Sequence, residues 1–153
     1  MQKNTYFYAM PLRFIHTCLL LCLLALAAAC TKEYDCPVPD SGRFEFSVYM
    51  PSYEIMTVKV TPNVGYNKHG VIVFRYHNAP NEVFAFDATC PNSEECLASG
   101  VVEHITSDVH AECKKCKSRY SLIDGKHTEK RIRLRAYLVQ PMPNATDWYY
   151  VTN

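Results

Sequence analysis

The stretch CKKCKSRYSLIDG at residues 113–125 contains two cysteines three positions apart, Cys113 and Cys116, among several basic side chains. A Cys-x-x-Cys pair has the spacing of a chelating turn in zinc sites and also of redox-active dithiols. The segment continues through an apolar YSLI run to a turn at Asp124-Gly125, as expected for a short strand that ends in a tight turn. It therefore predicts a cysteine-bearing loop beside a β-strand.

Two upstream cysteines complete a set of four. Cys90 and Cys96 are separated by five residues, and sixteen residues follow before Cys113. The longer interval is within the zinc-ribbon range, whereas five residues exceed the two to four usual between paired zinc ligands. Four thiolates could bind Zn²⁺ or a [2Fe–2S] cluster, and outside the cytosol the same thiols could form disulfides instead. The spacing leaves these three alternatives open.

The first 29 residues have the features of a secretory signal. Lys3 and Arg13 form a basic region, and the uncharged run LLLCLLALAAA ends at Cys30. This run is too short for a comfortable transmembrane helix. LAAAC at residues 26–30 resembles the lipobox of bacterial lipoproteins, in which the cysteine is acylated and becomes the new N-terminus. We therefore predict lipid attachment, such as palmitate, at Cys30; the alternative is a plain signal peptide with an ordinary Cys30.

The predicted organisation is a lipoprotein signal peptide at 1–29, a lipidated cysteine and tether at 30–42, and a β domain at 43–153. Removing the signal leaves 14 basic and 15 acidic residues. This balance offers no surplus positive charge for a nucleic-acid partner. The expected partner is a membrane, reached through the N-terminal lipid. The expected location is a bacterial membrane, the outer membrane in particular, facing the periplasm or the cell surface.

The mature chain is predicted to be all-β. Short apolar or alternating runs rich in Val, Ile, Phe and Tyr recur between Pro, Gly and Asn residues, and no segment shows a helical stripe of ten or more residues. Antiparallel sheets in a sandwich or barrel are expected. The nine predicted strands are 44–49, 55–60, 71–76, 83–87, 101–105, 109–113, 120–123, 132–139 and 148–152.

The order of these segments resembles the Rieske iron–sulfur fold. HGVIVFRY at 69–76 leads into VFAFDATCP at 83–91, and CKKCKSRYSLIDG and LRAYLVQ follow. The resemblance covers residues 42–153 and is greatest to Rieske-like lipoproteins of gut-type anaerobic Gram-negative bacteria. It implies that Cys90 and Cys113 occupy the two cysteine-ligand positions. Ser118 and Tyr120 then match the serine and aromatic positions after the second ligand loop.

The chain departs from the Rieske family at both histidine ligands. Asn92 stands at the first histidine position and Cys116 at the second, so the family's two-cysteine, two-histidine cluster cannot form. Cys96 is the natural fourth ligand, and we predict a four-cysteine site, Cys90, Cys96, Cys113 and Cys116. An all-cysteine [2Fe–2S] cluster would have a lower potential than a Rieske cluster. Zinc would make the site a structural one without redox chemistry.

Two functions are consistent with these patterns. The first is a lipid-anchored module that passes single electrons to a partner in the cell envelope. The second is a non-redox structural or interaction module of the same fold, stabilised by zinc or by disulfides such as Cys90–Cys113 or Cys96–Cys116. Cys36 is either free or paired with Cys96, and the basic residues around Cys113 either stabilise thiolates or form a solvated edge. No catalytic constellation is evident, so an enzyme is not expected.

Overall fold

The computed structural model describes residues 33–77 and 83–153, and Tyr34–Asn153 form one compact unit. The described residues contain nine strands and one short α-helix. These are β1 (Glu45–Tyr49), β2 (Met56–Thr61), β3 (Val71–Tyr76), β4 (Val83–Asp87), α1 (Glu94–Ser99), β5 (Val102–His104), β6 (His110–Cys113), β7 (Arg119–Ser121), β8 (Ala136–Pro141) and β9 (Trp148–Thr152).

Two antiparallel sheets organise these strands. The larger has six strands in the order β1-β9-β8-β4-β3-β2, and the smaller has three in the order β5-β6-β7. Strands β3 and β4 pair so that Val71 lies opposite Asp87 and Val73 lies opposite Ala85. In the small sheet, Val102 of β5 lies opposite Cys113 of β6. Strand β5 follows the first predicted ligand loop, and β6 leads into the second. The pairing of these strands in the small sheet therefore brings the second loop close to the end of the first.

Strand β3 is buried on both faces. Its sequence VIVFRY is almost continuously apolar because both of its faces are covered, and side chains alternate between faces along a strand. Ile72 and Phe74 pack in a core cluster that also contains the cysteines Cys90, Cys96 and Cys113. Val71 and Val73 pack on the opposite side, in a second cluster with residues of β1 and β9. The thiols thus belong to one of the two hydrophobic cores.

The prediction of an all-β fold with antiparallel sheets is confirmed. Each of the nine predicted strands corresponds to an observed one, although β8 begins at Ala136 rather than at residue 132. Residues Ile132 and Arg133 form isolated bridges instead of a continuous ladder. The sequence shows no helical stripe of ten or more residues, and the α-helix among the described residues, Glu94–Ser99, has only six.

The predicted signal peptide and Cys30 lie outside the described residues. Within the predicted tether, Asp35 forms a bridge with Ile132, and its carbonyl accepts a hydrogen bond from the Arg133 backbone at 2.9 Å. Val38 is buried. Part of residues 34–42 therefore contacts the domain, while the boundary at residue 43 stays a prediction. Where the structure describes the chain, no helix has the length and apolarity needed to cross a membrane.

A largely buried ion pair joins strand β3 to the segment before β9. Arg75 of β3 contacts Asp147 at 2.7 Å, and both side chains are largely buried. Arg75 also donates to the Met50 carbonyl, and Asp147 accepts from the backbone and hydroxyl of Ser52, each at 3.0 Å. The pair therefore connects three separate segments of the chain.

Asp147→Asn is expected to lower the free energy of unfolding by about 2 kcal/mol at neutral pH, because it removes the negative charge that faces the buried Arg75 guanidinium. The pKa of Asp147 is lowered, chiefly by the hydrogen bond from Arg75. Its stabilising contribution is therefore present above the ordinary carboxyl range and is lost as pH falls through the lowered pKa. Denaturant unfolding at several pH values should show the difference between variant and wild type shrinking in acid.

Glu103→Gln is the matched control for this prediction. Glu103 pairs with Lys114, but both side chains are more than half exposed, and exposed pairs contribute little to stability. We expect a change below about 0.5 kcal/mol. Equal losses in the two variants at neutral pH would contradict the assignment of Arg75–Asp147 as a stabilising buried pair.

Candidate metal centre

Cys90 is positioned by the end of strand β4. After β4, the Ala88 backbone donates to the Gly70 carbonyl at 2.9 Å, and the Cys90 backbone donates to the Gly100 carbonyl at 3.0 Å. The Thr89 backbone donates to the Asp87 carboxylate at 2.7 Å. The thiol of Cys90 is fully buried and lies 3.3 Å from the Tyr120 hydroxyl. The backbone and Tyr120 therefore fix this side chain in the core.

Cys96 is supplied by the first turn of α1. Ser93 is the N-cap, and its hydroxyl accepts a hydrogen bond from the Cys96 backbone at 3.2 Å, which is the usual role of serine at this position. The helix ends at once, because the Gly100 backbone donates to the Cys96 carbonyl at 2.6 Å. A Cβ at position 100 would lie only 2.8 Å from that carbonyl oxygen and 3.0 Å from Cα and Cβ of Cys96. Glycine is therefore needed for this close packing against Cys96.

Cys113 and Cys116 lie on a tight turn between β6 and β7. The Cys113 backbone donates to the Ser118 carbonyl at 2.9 Å, and the Lys117 backbone donates to the Cys113 carbonyl at 3.0 Å. Lys117 has φ of 61°, a left-handed conformation that is uncommon for residues other than glycine. The turn reverses the chain directly after Cys116 and brings both thiols to the same side.

The structure brings together all four predicted cysteines. The Sγ atoms of Cys90, Cys96, Cys113 and Cys116 all lie within 4.8 Å of one another, and Cys90 and Cys116 are 3.6 Å apart. Three of the four are buried, and Cys116 is partly exposed. We call this group the thiol tetrad. That these cysteines bind a metal stays a prediction. Their sequence spacing suggested that the four thiols lie close together, and in the structure they do.

Cys36 does not belong to the thiol tetrad. It is a free, half-buried cysteine, and burial raises the pKa of its thiol. The four tetrad cysteines are also free thiols. The disulfides Cys90–Cys113, Cys96–Cys116 and Cys36–Cys96 considered from the sequence are therefore not formed in this structure.

The thiols of the tetrad differ in their electrostatic surroundings. Burial raises the pKa of Cys90 and Cys96. Burial also opposes ionisation of Cys116, but hydrogen bonds from the hydroxyl and backbone of Ser118 and from neighbouring thiols outweigh it and lower its pKa to about 6. The Ser118 hydroxyl lies 3.2 Å from Cys116 Sγ. Within the tetrad, a thiolate therefore forms most easily at the partly exposed Cys116.

The residues at and near the family's histidine positions have other partners. Asn92 accepts a hydrogen bond from the Lys130 ammonium group at 2.5 Å and is not part of the group of potential ligands. His127 is buried against Tyr120, with ring centroids 5.1 Å apart, and its Nδ1 accepts from the backbones of Glu129 and Lys130. Among the described residues, no histidine lies in the four-thiol group.

The basic residues around the second loop form ion pairs. Lys114 contacts Glu103 at 2.5 Å, and Lys115 contacts Glu95 at 2.7 Å. Lys117 and Arg119 both approach Glu112, at 3.6 and 3.3 Å. Most of these side chains are exposed. The second interpretation of the basic stretch, a solvated edge, therefore describes these side chains better than a set of thiolate-stabilising cations.

Sequence reasoning missed two features of this site. The first is α1, although Ser93 followed by two acidic residues is a recognisable helix start. From the sequence alone, Glu94 and Glu95 suggest a solvent-facing acidic pair in a loop, whereas they occupy the first helical turn. The second is Gly100. Position 100 requires glycine because it packs closely against Cys96, and no local sequence pattern indicates this contact.

The chain matches a known protein family and is similar to solved structures. A family model described as a Rieske-like [2Fe-2S] domain matches residues 50–145. No curated protein sequence matches the chain. The chain is similar to a solved structure described as the small subunit of an NADH-dependent nitrite reductase from Mycobacterium tuberculosis, with 15% identity, a TM-score of 0.44, and coverage of 72% of this chain and 96% of that one. It is also similar to the ferredoxin of carbazole 1,9a-dioxygenase from Nocardioides aromaticivorans IC177, with 23% identity, a TM-score of 0.37, and coverage of 63% and 83%.

The four cysteines of the tetrad match only part of the ligand set of a Rieske [2Fe–2S] cluster. A Rieske cluster needs two histidines on one of its irons, and the four-thiol group contains none. Four cysteine sulfurs are nevertheless a complete ligand set for a soft metal. The site could therefore bind a metal, but not in the arrangement that defines a true Rieske centre.

Proposed function

The chain belongs to the Rieske-like [2Fe-2S] domain family, and on that basis we propose that it is a lipid-anchored protein of the cell envelope that binds a metal through four cysteines and passes single electrons to a partner protein. The observation that carries this proposal is the thiol tetrad, in which four Sγ atoms lie within 4.8 Å of one another. The tetrad includes Cys90 and Cys113, which the sequence resemblance assigns to the family's cysteine-ligand positions. The chain performs no catalytic step of its own in this proposal.

A partner protein could reach the tetrad from the side on which Cys116 is exposed. Cys116 and Ser118 line an open cavity of about 500 Å³ together with Lys117, His127 and other residues. Electron transfer requires a donor or acceptor to come close to the metal, and Cys116 is the partly exposed ligand. The cavity therefore supports contact with a partner on the Cys116 side.

The residues around the tetrad are suited to stabilise a charged metal–thiolate group. An iron bound there would supply one-electron redox chemistry. The Tyr120 hydroxyl lies 3.3 Å from Cys90 Sγ, and the Asn92 backbone also donates to Cys90. The Ser118 hydroxyl lies 3.2 Å from Cys116 Sγ, and the Ser118 backbone donates to the same sulfur. Such hydrogen bonds to ligand sulfur tune reduction potential, and burial of three cysteines excludes water.

A non-redox structural role is the second candidate. Four thiolates fill a tetrahedral coordination sphere, which is typical of structural zinc sites that have no open position for chemistry. Three of the four cysteines are buried in the core, where a bound metal would contribute directly to folding. In this role the domain would serve as a zinc-stabilised interaction module.

Anaerobic purification separates the two candidates. We expect the full-length protein to be coloured, to contain iron, and to bleach and recover on cycles of one-electron reduction and oxidation followed by visible absorbance. A colourless protein that contains zinc would contradict the electron-transfer role and support the structural one. A metal-free protein would contradict both.

Cys30→Ser is expected to release the protein from the membrane fraction, because the acyl chains attached at Cys30 are its proposed anchor and stable attachment needs more than one chain. Fractionation of cells followed by detection of the protein measures this release. Incorporation of a labelled palmitate analogue into wild type but not the variant measures lipidation. Cys36→Ser is the matched control and should stay in the membrane fraction. If the Cys30→Ser protein also stays there, the lipid anchor is wrong.

A further inference from the structure

We infer that the thiol tetrad binds a single metal ion at its centre rather than a two-iron cluster. The inference rests on the proposed function in one respect, namely that the tetrad binds a metal. It goes beyond the proposal by fixing the number of metal ions, and it disagrees with the cofactor that the family model's description names.

The distances within the tetrad match a single tetrahedral ion. A metal–sulfur bond of about 2.3 Å places the sulfurs of a regular tetrahedron about 3.8 Å apart. The Sγ atoms of Cys90 and Cys116 are 3.6 Å apart, and no pair in the tetrad is separated by more than 4.8 Å. The four sulfurs thus already surround a point that a single ion could occupy.

A two-iron cluster would divide the sulfurs into two pairs. Each iron takes two of the four protein ligands, so each sulfur has one close neighbour on its own iron and two distant ones on the other. Cys116 instead lies beside all three other thiols. Its Sγ is 3.6 Å from that of Cys90 and within 4.8 Å of those of Cys96 and Cys113. The tetrad shows no division into pairs.

The backbone holds the two ligand loops at this short separation. The segment 100–102 lies between them and is hydrogen-bonded to both. The Gly100 carbonyl accepts from the Cys90 backbone at 3.0 Å, and the Val102 backbone donates to Ala88 at 2.7 Å. The Val101 carbonyl accepts from Lys114 at 3.0 Å, on the second loop. Moving the loops apart to admit two irons and two sulfides would break bonds on at least one side of this segment.

The position of Cys96 completes the tetrahedron. In this chain the fourth sulfur comes from the first turn of α1, where the Ser93 cap and the Gly100 contact fix the backbone of Cys96. Asn92, at the family's histidine position, instead bonds Lys130. A soft ion that accepts four thiolates is the expected occupant, and Zn²⁺ and iron are the two candidates.

The experiment measures metal and inorganic sulfide in the same sample of full-length protein, extracted in detergent under anaerobic conditions. One metal ion per chain and no acid-labile sulfide is the expected result. Two irons and two sulfides per chain would overturn the inference and leave the proposed electron transfer intact. One zinc per chain would support the inference and contradict electron transfer. Absence of metal would overturn both.

Cobalt substitution tests the ligand geometry independently. Protein loaded with Co²⁺ alone should bind one ion per chain and show the absorption of a tetrahedral site with four thiolates. Measured per bound cobalt ion, Cys96→Ser should lower the intensity of the thiolate-to-cobalt charge-transfer band by about a quarter, since one of four sulfurs is lost. Cys36→Ser is the control and should leave the band unchanged. Binding of two cobalt ions per chain, or an unchanged band in Cys96→Ser, would overturn the inference.

Discussion

Cys113→Ser is expected to reduce the metal content of the purified protein to less than about a tenth of wild type, and to remove the metal-dependent part of its stability. Cys113 is fully buried and is the residue at which β6 passes into the second ligand loop. Binding of a structural metal by four thiolates is worth on the order of 10 kcal/mol in small zinc domains. This is therefore the largest effect that we expect from any single substitution.

The measurement combines elemental analysis with thermal unfolding of wild type and variant, each with metal and after chelation. Chelated wild type and chelated Cys113→Ser should unfold at nearly the same temperature, because the variant differs mainly in the ability to bind metal. Cys36→Ser is the matched control and should bind metal as wild type does. Unchanged metal content in Cys113→Ser would show that the tetrad is not the ligand set.

Asp87→Asn is expected to cost about 3 kcal/mol of unfolding free energy, the largest loss that does not involve a ligand. The Asp87 carboxylate is fully buried and accepts three hydrogen bonds, from the Tyr66 backbone at 2.6 Å, the Thr89 backbone at 2.7 Å and the Tyr137 hydroxyl at 2.5 Å. An amide at this position directs an NH₂ group towards at least one of these donors. The affected donor is then left buried without an acceptor.

Denaturant unfolding of the metal-bound protein measures this loss. Tyr137→Phe removes one of the three donors and should cost about 1 kcal/mol. Asp108→Asn, at a partly exposed carboxylate paired with His110, is the control and should leave stability nearly unchanged, because exposed pairs contribute little. Because Thr89 precedes Cys90, we also expect Asp87→Asn to weaken metal binding by about tenfold. A stability equal to wild type would contradict the role of Asp87 as a buried acceptor.

Most of the fold could be predicted from local pattern, because strands that cover a core must alternate or be continuously apolar. Strand β3 is the clearest case, since its run of apolar residues reflects burial on both faces. The start of β8 was placed four residues early because Ile132 and Leu134 continue the alternation without forming a ladder. Leu134 is buried, so the pattern indicated burial correctly but not strand pairing.

The thiol tetrad could also be predicted, and its irregular spacing is now explained. Five residues separate Cys90 from Cys96 because the loop must pass Asn92 and begin α1 before Cys96 can return to the core. The sequence could not indicate the number of metal ions. That depends on the separation of the two loops, which the hydrogen bonds of segment 100–102 determine.

The bridging position of segment 100–102 also has a consequence for local unfolding. The amides of Cys90, Val102 and Lys114 all take part in hydrogen bonds with this segment or across it. Opening of one ligand loop therefore weakens the support of the other, and hydrogen exchange at these three amides should follow a single opening event. In the metal-free protein, an oxidant or alkylating reagent that gains access to one buried thiol would gain access to its neighbours in the same event.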